Sequence, residues 1–400
     1  MRHHAKLTGA ATLLAILASS GCDGARPAAK SVSRLDSAGV AIVRNDSVDR
    51  PLPWTFVRRF ALGGDTPDDS FGSIIREGIG EDAGGRILVL DGQNHRVLVF
   101  DSTGRLVRSQ GGRGGGPGEL QLPLFLVTFE DSTIGVFDPT KGGLVRYGPD
   151  GRPLSAAPPE PWERKIEAMR PIRGGLVVQQ REGGAGESRL LELVLRRGAT
   201  AVTLVNRPQP PVQMHIYPTC QIGLALGPIF EPQLAWDANG ERVAVAAGDD
   251  YVVNVHEVDR LVLSVRRTLA RRPATRELAR RELGEGMKVG VMGRGGPCTI
   301  PPDEVIDARG IAPVVPAVKA VVLAPSGELW VRRGGVKGEP ALSDVFTRDG
   351  TYLGTLPAAA PEPVAFLRNG DLVTIAADEL DVQRIVVYRI VRDTSPALTR

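Results

Sequence analysis

The feature that most constrains this chain is a recurring unit of short apolar runs separated by polar turns. The clearest copy spans residues 85–123, where the runs 87–90, 97–100 and 106–107 are divided by segments rich in Asp, Asn, Ser and Gly. Runs of about four β-branched or aromatic residues bounded by such turn formers indicate an antiparallel meander. A single meander cannot bury both of its faces, so the fold depends on whether the unit recurs.

The unit recurs with a spacing of roughly 40 to 50 residues, which is typical of a repeat architecture. Degraded copies, each with four predicted strands, occupy residues 124–155, 166–205, 232–268 and 316–357. Residues 363–392 supply only three strands. The fourth must come from the N-terminal part of the chain, either from 54–62 or from 40–44. The sequence therefore predicts a closed ring of six units, since closure pairs strand edges that would otherwise be exposed.

The order of residue types in 85–123 resembles an NHL repeat, which forms one blade of a β-propeller. The resemblance rests on Asp91, the Asn94-His95-Arg96 turn, a strand that ends in Val-Phe-Asp, and a glycine-rich tail that closes on Gly-Pro-Gly-Glu-Leu. It implies an all-β fold, a six-bladed β-propeller of four-stranded antiparallel blades closed by an N-terminal strand. We add one short helix in an insertion between blades, where Thr275 can cap the helix and Gly284 can end it.

Residues 1–22 have the layout of an export signal. A basic head precedes an apolar run at 7–18, which is too short to span a bilayer, and Ser20-Gly21-Cys22 follows. Small residues before a lone cysteine resemble a bacterial lipobox, which predicts lipidation of Cys22 and anchoring to a membrane of the bacterial cell envelope. Ordinary secretory cleavage near Ser20 is the alternative. We expect a polar tether at 23–38, the propeller at 39–392 and a tail at 393–400.

The overall charge gives no reason to expect a nucleic-acid partner. Forty-nine Lys and Arg residues against 46 Asp and Glu residues leave a formal net charge of only +3. No segment after the leader is apolar for eighteen residues, so we expect membrane contact through the lipid anchor alone, and a monomer.

Two long insertions between blades, at 206–231 and 269–315, carry the remaining cysteines, Cys220 and Cys298. In an exported protein this pair predicts a disulfide, with two separate buried thiols as the alternative. Connections between blades emerge on one face, so the insertions should be neighbours and form a binding face. Its arginine cluster is either a solvated helix surface or a dock for an anionic ligand or an acidic partner. The candidate binding residues are His215, Tyr217, Arg271, Arg272, Arg276, Arg280 and Arg281.

No catalytic, cofactor or metal site is predicted. Beyond the leader only three histidines remain, and a zinc site like that of NHL-type peptidylglycine lyases would need all of them to converge from different blades. A calcium-dependent lactonase on the six-bladed gluconolactonase plan would need acidic residues at the channel mouth. The available aspartates each fall at a predicted turn, where Asp bonds to its own backbone. The glycine-rich segment 113–118 lacks the Lys-Ser/Thr of a P-loop. The histidines are His95, His215 and His256, and the aspartates are Asp91, Asp101, Asp138, Asp237 and Asp349.

The sequence thus predicts a non-enzymatic, exported propeller that binds or scaffolds through its loop-rich face. The expected ligand is a protein, a peptide or a glycan, and no cofactor is expected. The alternative is a calcium-dependent lactonase, another hydrolase or a lyase that acts at the central channel.

Replacement of Cys22 tests the lipidation hypothesis. We expect Cys22→Ser to leave the precursor unprocessed by the lipoprotein peptidase, because the enzyme cleaves before a lipidated cysteine. Membrane fractionation and mass spectrometry of the N-terminus check this outcome. A wild-type protein that partitions wholly into buffer with a free N-terminus would contradict it.

Overall fold

A computed structural model describes residues 32–392, except 65, 67, 155–161, 163, 291–295 and 380–381. The predicted signal peptide, the lipidation site at Cys22 and the tail at 393–400 lie outside the described residues. None of the helices in the described part of the chain is long and apolar enough to cross a membrane.

The chain forms six blades around a central channel, and most of each blade is an antiparallel meander. Blade one contains β4 (Ile79–Glu81), β5 (Ile87–Asp91), β6 (Arg96–Phe100) and β7 (Leu106–Gly111). Blade two contains β8 (Phe125–Thr128), β9 (Ile134–Asp138) and β10 (Gly143–Tyr147). Blade three contains β11 (Lys165–Ile172), β12 (Gly175–Glu182), β13 (Arg189–Arg197) and β14 (Thr200–Gln209). The predicted fourth strand of blade two is reduced to one bridge between Tyr147 and Pro153.

The second half of the chain repeats this layout. Blade four contains β17 (Ala235–Asn239), β18 (Arg242–Ala246), β19 (Val252–Glu257) and β20 (Arg260–Arg267). Blade five contains β25 (Val318–Leu323), β26 (Leu329–Arg333), β27 (Ser343–Phe346) and β28 (Tyr352–Leu356). Blade six contains β29 (Ala365–Phe366), β30 (Leu372–Ala377) and β31 (Gln383–Arg392). The predicted fold, a six-bladed β-propeller, is confirmed.

The ring is closed by β3 (Trp54–Leu62), one of the two predicted candidates. It pairs antiparallel with β31, from Trp54 opposite Arg392 to Leu62 opposite Ile385, with a bulge between Arg58 and Phe60. Leu62 is 1% exposed and packs into one core with Ile385 and Val387. The outermost strand of the last blade therefore comes from the N-terminal part of the chain.

The other candidate segment extends blade four instead. β2 (Val40–Asn45) pairs with β20 in parallel, and β1 (Val32–Ser37) pairs antiparallel with β2. The prediction of a tether over 23–38 is therefore wrong for residues 32–37. Their polar composition hid a strand because most of its side chains face solvent, so no apolar alternation is required.

A buried polar cluster joins blades four and five. The Asp344 carboxylate accepts hydrogen bonds from Tyr251 Oη at 2.7 Å, Arg267 Nη1 at 2.9 Å and Arg333 Nε at 2.9 Å. Asp49, from the segment between β2 and β3, binds both arginines. Burial alone would lower the pKa of Arg267, but the Asp344 carboxylate outweighs burial and raises that pKa. These charges remain paired because a lone buried ion would be costly.

The remaining elements lie in the two insertions. The first contains β15 (His215–Tyr217) and β16 (Ile222–Leu224). The second contains β21 (Arg272–Pro273), α1 (Arg276–Leu283), β22 (Met287–Val289), β23 (Cys298–Ile300), α2 (Pro302–Arg309) and β24 (Val314–Val315). Thr275 caps α1 and Gly284 ends it, as predicted. The prediction of a single helix missed α2, which begins with Pro302 in its first turn, where a proline is compatible with a helix.

Two substitutions on β3 test the contribution of ring closure to stability. We expect Leu62→Ala to lower the free energy of unfolding by about 2 to 4 kcal/mol, because it leaves a cavity in the core shared with β31. Val57, which is 53% exposed on the same strand, supplies the control, and Val57→Thr should change stability by less than about 0.5 kcal/mol. Urea unfolding measures both, and equal losses would contradict the assigned role of β3.

Candidate functional site

The two insertions combine into one small unit, here called the insertion module, which comprises the described residues of 210–231 and 269–315. It has its own apolar core, supplied by both insertions. Thr219 Oγ1 donates to Glu304 Oε2 at 2.5 Å, and the backbone of Ile229 pairs with Gly310 and Ala312. The core residues are Tyr217, Cys220, Ile229, Ala279, Ile300, Val305 and Ile306.

A disulfide between Cys220 and Cys298 links the two insertions, as predicted. The Cα atoms of the two cysteines are 5.9 Å apart, and Cys220 is fully buried in the module core. A core of so few side chains contributes little stability alone, so the covalent link holds the two insertions in one arrangement.

Chain topology places the module on one face of the ring. The first insertion runs from β14, the outermost strand of blade three, to β17, the innermost strand of blade four. The second runs from β20 toward β25, the innermost strand of blade five. Both insertions therefore lie where inner strands begin, in agreement with the prediction that they share a face.

The arginine cluster is used to hold the module together and to attach it to the ring. Within the module, Arg276 and Arg280 bind Asp303, and Arg276 also binds Asp307. Arg271 binds Asp250 of blade four through two hydrogen bonds of 2.7 Å.

Glu339, in the loop after β26, completes this attachment. Arg272 binds it through two hydrogen bonds of 2.7 Å, and Arg281 Nη2 lies 3.2 Å from it. Each of the five predicted arginines thus has a carboxylate partner. The hypothesis that this cluster is a dock for an anionic ligand therefore has no unpaired arginine in its favour.

The predicted aromatic contact residue is not on the surface. Tyr217 is fully buried in the module core, where burial raises its pKa, so it cannot contact a partner. The neighbouring side chains are the accessible ones, since Met214 is 55% exposed and Ile216 is 69% exposed. His215 lies between them and is half-buried. The strand alternation of β15 explains this pattern, because successive side chains point to opposite faces.

The channel contains a cavity of about 790 Å³ at the end where the inner strands finish. It therefore opens on the face opposite the insertion module. All six blades contribute to its wall, and the wall combines apolar side chains such as Leu126, Phe129 and Phe366 with a few charged ones.

Two arginines and one aspartate meet in this channel, and sequence analysis did not predict the group. Arg76 Nη2 lies 2.9 Å from Asp237 Oδ1, and Leu323 N donates to Asp237 Oδ2 at 2.8 Å. Arg170 Nε lies 3.7 Å from the same Oδ1, beyond hydrogen-bond distance. The interpretation of Asp237 as a turn residue was wrong, since it lies within β17. The sequence signal that could have revealed this role of Asp237 was the presence of a charged residue in the innermost strand of a repeat.

The other candidate aspartates have structural roles. Asp91 accepts from Gly72 N and Asn94 Nδ2, and Asp138 accepts from Gln121 N and Leu122 N. Both carboxylates therefore fasten the connection that leads into their own blade. Asp101 bonds to its own turn, and Asp349 binds Thr347 and Arg34.

The part of the chain that the structure describes contains no group of three His, Cys, Asp or Glu side chains placed to hold a metal ion. His95 adopts a φ of 56° in its turn, and its Nε2 lies 3.1 Å from Gln121 O. His256 is buried in blade four, where burial lowers its pKa.

The glycine-rich segment does not form a phosphate cradle. Its carbonyls are held by Lys141 Nζ, at 2.7 Å from Gly115 O and 3.1 Å from Gly116 O, and by Tyr147 Oη at 2.7 Å from Gly118 O. The Glu119 side chain accepts from Gly116 N at 2.6 Å. An amide already bound to a carboxylate is not available to a phosphate.

Comparisons with known proteins agree on the fold. A family model described as a 6-bladed beta-propeller matches residues 75–157, which hold blades one and two. No curated protein matches the chain. The assignment of residues 85–123 to the NHL repeats stays a prediction.

The chain is also similar to solved structures. A Bacteroides fragilis protein named as a candidate exported protein is 13% identical, with a TM-score of 0.51 over 88% of this chain and 99% of that one. A duf4221 family member from Bacteroides vulgatus is 10% identical, with a TM-score of 0.49 over 86% and 100%. The calcium-binding protein regucalcin from Agrobacterium tumefaciens is 13% identical, with a TM-score of 0.41 over 83% and 95%. Identities this low concern the fold alone.

Acidification tests the attachment of the insertion module through Glu339. Its hydrogen bond with Arg272 lowers the pKa of this carboxyl to about 2. A depressed pKa means that the stabilisation is present above the ordinary value near 4.5 and is lost as the pH falls toward about 2. We expect Glu339→Gln to cost about 0.5 to 1 kcal/mol at pH 7, the range of partly exposed ion pairs.

The control is Glu187→Gln, at an exposed turn of blade three. Thermal unfolding at pH 7 and at successively lower pH values should show the difference between wild type and Glu339→Gln closing between about pH 4.5 and 2. A difference that stayed constant over this range would contradict the ion-pair role.

Proposed function

We propose that this protein is an exported binding or scaffold module, anchored to the cell envelope through Cys22, that presents the insertion module to a protein or peptide partner. The observation that carries the proposal is a pair of exposed aliphatic side chains, Met214 and Ile216, held on a disulfide-locked unit. Apolar side chains that are rigidly held in water are typical of contact sites for other proteins.

The chemistry of the module favours a protein or peptide over a glycan. The aromatic residue predicted to contact a ligand, Tyr217, is buried, and the accessible side chains are aliphatic. The five predicted arginines of the module are paired with carboxylates, so charge is not its main recognition element. Contact through Met214 and Ile216 would suit an apolar surface, to which methionine adapts readily because its side chain is flexible.

Export has three lines of support. The disulfide requires an oxidising compartment, which in bacteria lies outside the cytoplasm. The basic head, the apolar run and the Ser-Gly-Cys sequence of residues 1–22 match an export signal. The Bacteroides fragilis protein with the same fold also has a name that places it among candidate exported proteins.

The calcium-dependent hydrolase or lyase is the weaker proposal. A divalent cation needs several oxygen ligands that converge, whereas the described residues contain no group of three His, Cys, Asp or Glu side chains placed to hold a metal ion, and two guanidinium groups flank the carboxylate of Asp237 in the channel. Addition of Ca²⁺ or EDTA should therefore leave the melting temperature unchanged, and a clear rise with Ca²⁺ would favour the hydrolase.

Photo-crosslinking tests the binding role. A photoreactive amino acid in place of Ile216 should give a discrete adduct in the native envelope, because this side chain faces the proposed partner. The matched control is Val107, an apolar residue on the outer strand of blade one that is 52% exposed, against 69% for Ile216. No such adduct should form from position 107, and none from 216 when Cys220→Ser and Cys298→Ser unlock the module. The same adducts from both positions would overturn the proposal.

A further inference from the structure

The channel arginine Arg170 lacks the partners that a buried charge requires. The residue belongs to the wall of the cavity, yet it is only 9% exposed. Nη2 is buried without a hydrogen-bond partner among the described residues, and Nε lies 3.7 Å from the nearest carboxylate oxygen of Asp237. A buried guanidinium with unsatisfied donors is strongly destabilising unless another group supplies acceptors.

The neighbouring groups of the channel do not supply them. The carboxylate of Asp237 already contacts Arg76 at 2.9 Å and accepts a hydrogen bond from the Leu323 amide. It is therefore paired without Arg170. Arg76 is itself held by the carbonyl oxygens of Val364 and Val321. Burial and the charge of Arg76 lower the pKa of Arg170, while Asp237 and Glu77 offset this only in part. Arg170 is therefore the under-compensated member of the group.

We infer that the channel binds a small organic monocarboxylate whose carboxylate group pairs with Arg170. The planar guanidinium matches a carboxylate through two parallel hydrogen bonds, and a carboxylate beside it would supply the counter-charge that Arg170 lacks. This site is separate from the insertion module, because the cavity opens on the opposite face of the ring. The inference does not depend on the proposed binding role of that module.

The wall of the cavity indicates the kind of molecule that carries the carboxylate. Leu126, Phe129, Ile172 and Phe366 surround the charged group with apolar surface, which would cover an apolar or aromatic body. The volume of about 790 Å³ accommodates a molecule larger than an inorganic ion.

The rim of the cavity disfavours more highly charged ligands. Three carboxylates line this end of the channel, those of Glu81, Glu130 and Asp131, and they outnumber the two rim arginines, Arg173 and Arg368. A dianion such as phosphate would be repelled by these carboxylates more strongly than a monoanion.

Benzoate and 3-phenylpropionate are suitable probes, with neutral benzamide as the isosteric control and sulfate as the inorganic control. Calorimetric titration of the full-length mature protein should show at least one carboxylate bound at one site, and benzamide bound roughly tenfold more weakly or not at all. Arg170→Gln should weaken the carboxylate by roughly tenfold or more. Arg173→Gln, which alters an exposed arginine at the rim of the same cavity, should leave the affinity within about twofold.

Thermal unfolding supplies a readout that does not depend on the choice of probe. Without ligand, Arg170→Gln and Arg170→Met should melt at or above the wild-type temperature, because each removes an under-compensated buried charge. The carboxylate should raise the melting temperature of the wild type and of Arg173→Gln, but not that of either Arg170 variant.

Several results would overturn the inference. One is a lower melting temperature of both Arg170 variants without ligand, which would show that the protein itself already compensates the guanidinium charge. Another is the absence of binding by both carboxylates. Equal carboxylate affinity of the wild type and Arg170→Gln would also overturn it, as would sulfate binding as tight as the carboxylate.

Discussion

The pairing of β3 with β31 is the interaction on which the rest of the structure depends. A propeller has no continuous sheet around its ring, so neighbouring blades hold together mainly through the side chains between their faces. The last blade supplies three strands from the C-terminal part of the chain and takes its outermost strand from residues 54–62. Because blade six joins a strand from residues 54–62 to strands from the C-terminal part of the chain, opening the ring requires breaking a strand ladder rather than only a packed interface.

The N-terminal segment reinforces this closure over three consecutive blades. It adds β2 to the edge of blade four, crosses blade five where Leu52 N bonds to Thr355 O at 2.9 Å, and then becomes β3 of blade six. The polar cluster around Asp344 lies beneath this path, and Asp49 ties the segment to it. Buried ion pairs contribute uncertainly to stability, but they strongly disfavour arrangements in which a partner is missing. The cluster therefore specifies where the segment crosses the ring.

The two faces of the ring differ in how their charges are used. On the face with the insertion module, arginines are paired with carboxylates. These pairs hold the module in position, which its small apolar core could not do alone. In the channel, which opens on the other face, Arg76 contacts the carboxylate of Asp237 and Arg170 lies 3.7 Å from it, so the charge of Arg170 is not balanced by a direct hydrogen bond. Paired charges position elements of the fold, whereas the unbalanced buried charge of Arg170 is the observation on which the proposed carboxylate site rests.

Local patterns in the sequence determined much of the fold. Apolar runs divided by turn formers predicted the blades, and the missing fourth strand of the last blade predicted closure by an N-terminal strand. The same reasoning predicted α1 and, from the two cysteines in neighbouring insertions, the disulfide. These features succeed because turn chemistry, strand alternation and repeat spacing are encoded within a few residues of one another.

Only the tertiary structure decided which charges are paired and which side chains are accessible. The arginines of α1 look like a free basic surface until Asp303 and Glu339 are placed against them, and Tyr217 looks available until the second insertion covers it. The strand at residues 32–37 becomes evident only beside β2. Arg76, Arg170 and Asp237 come from blades one, three and four, and none has a local signature. Their meeting in the channel depends on ring geometry, which brings residues distant in the chain together at the inner strands.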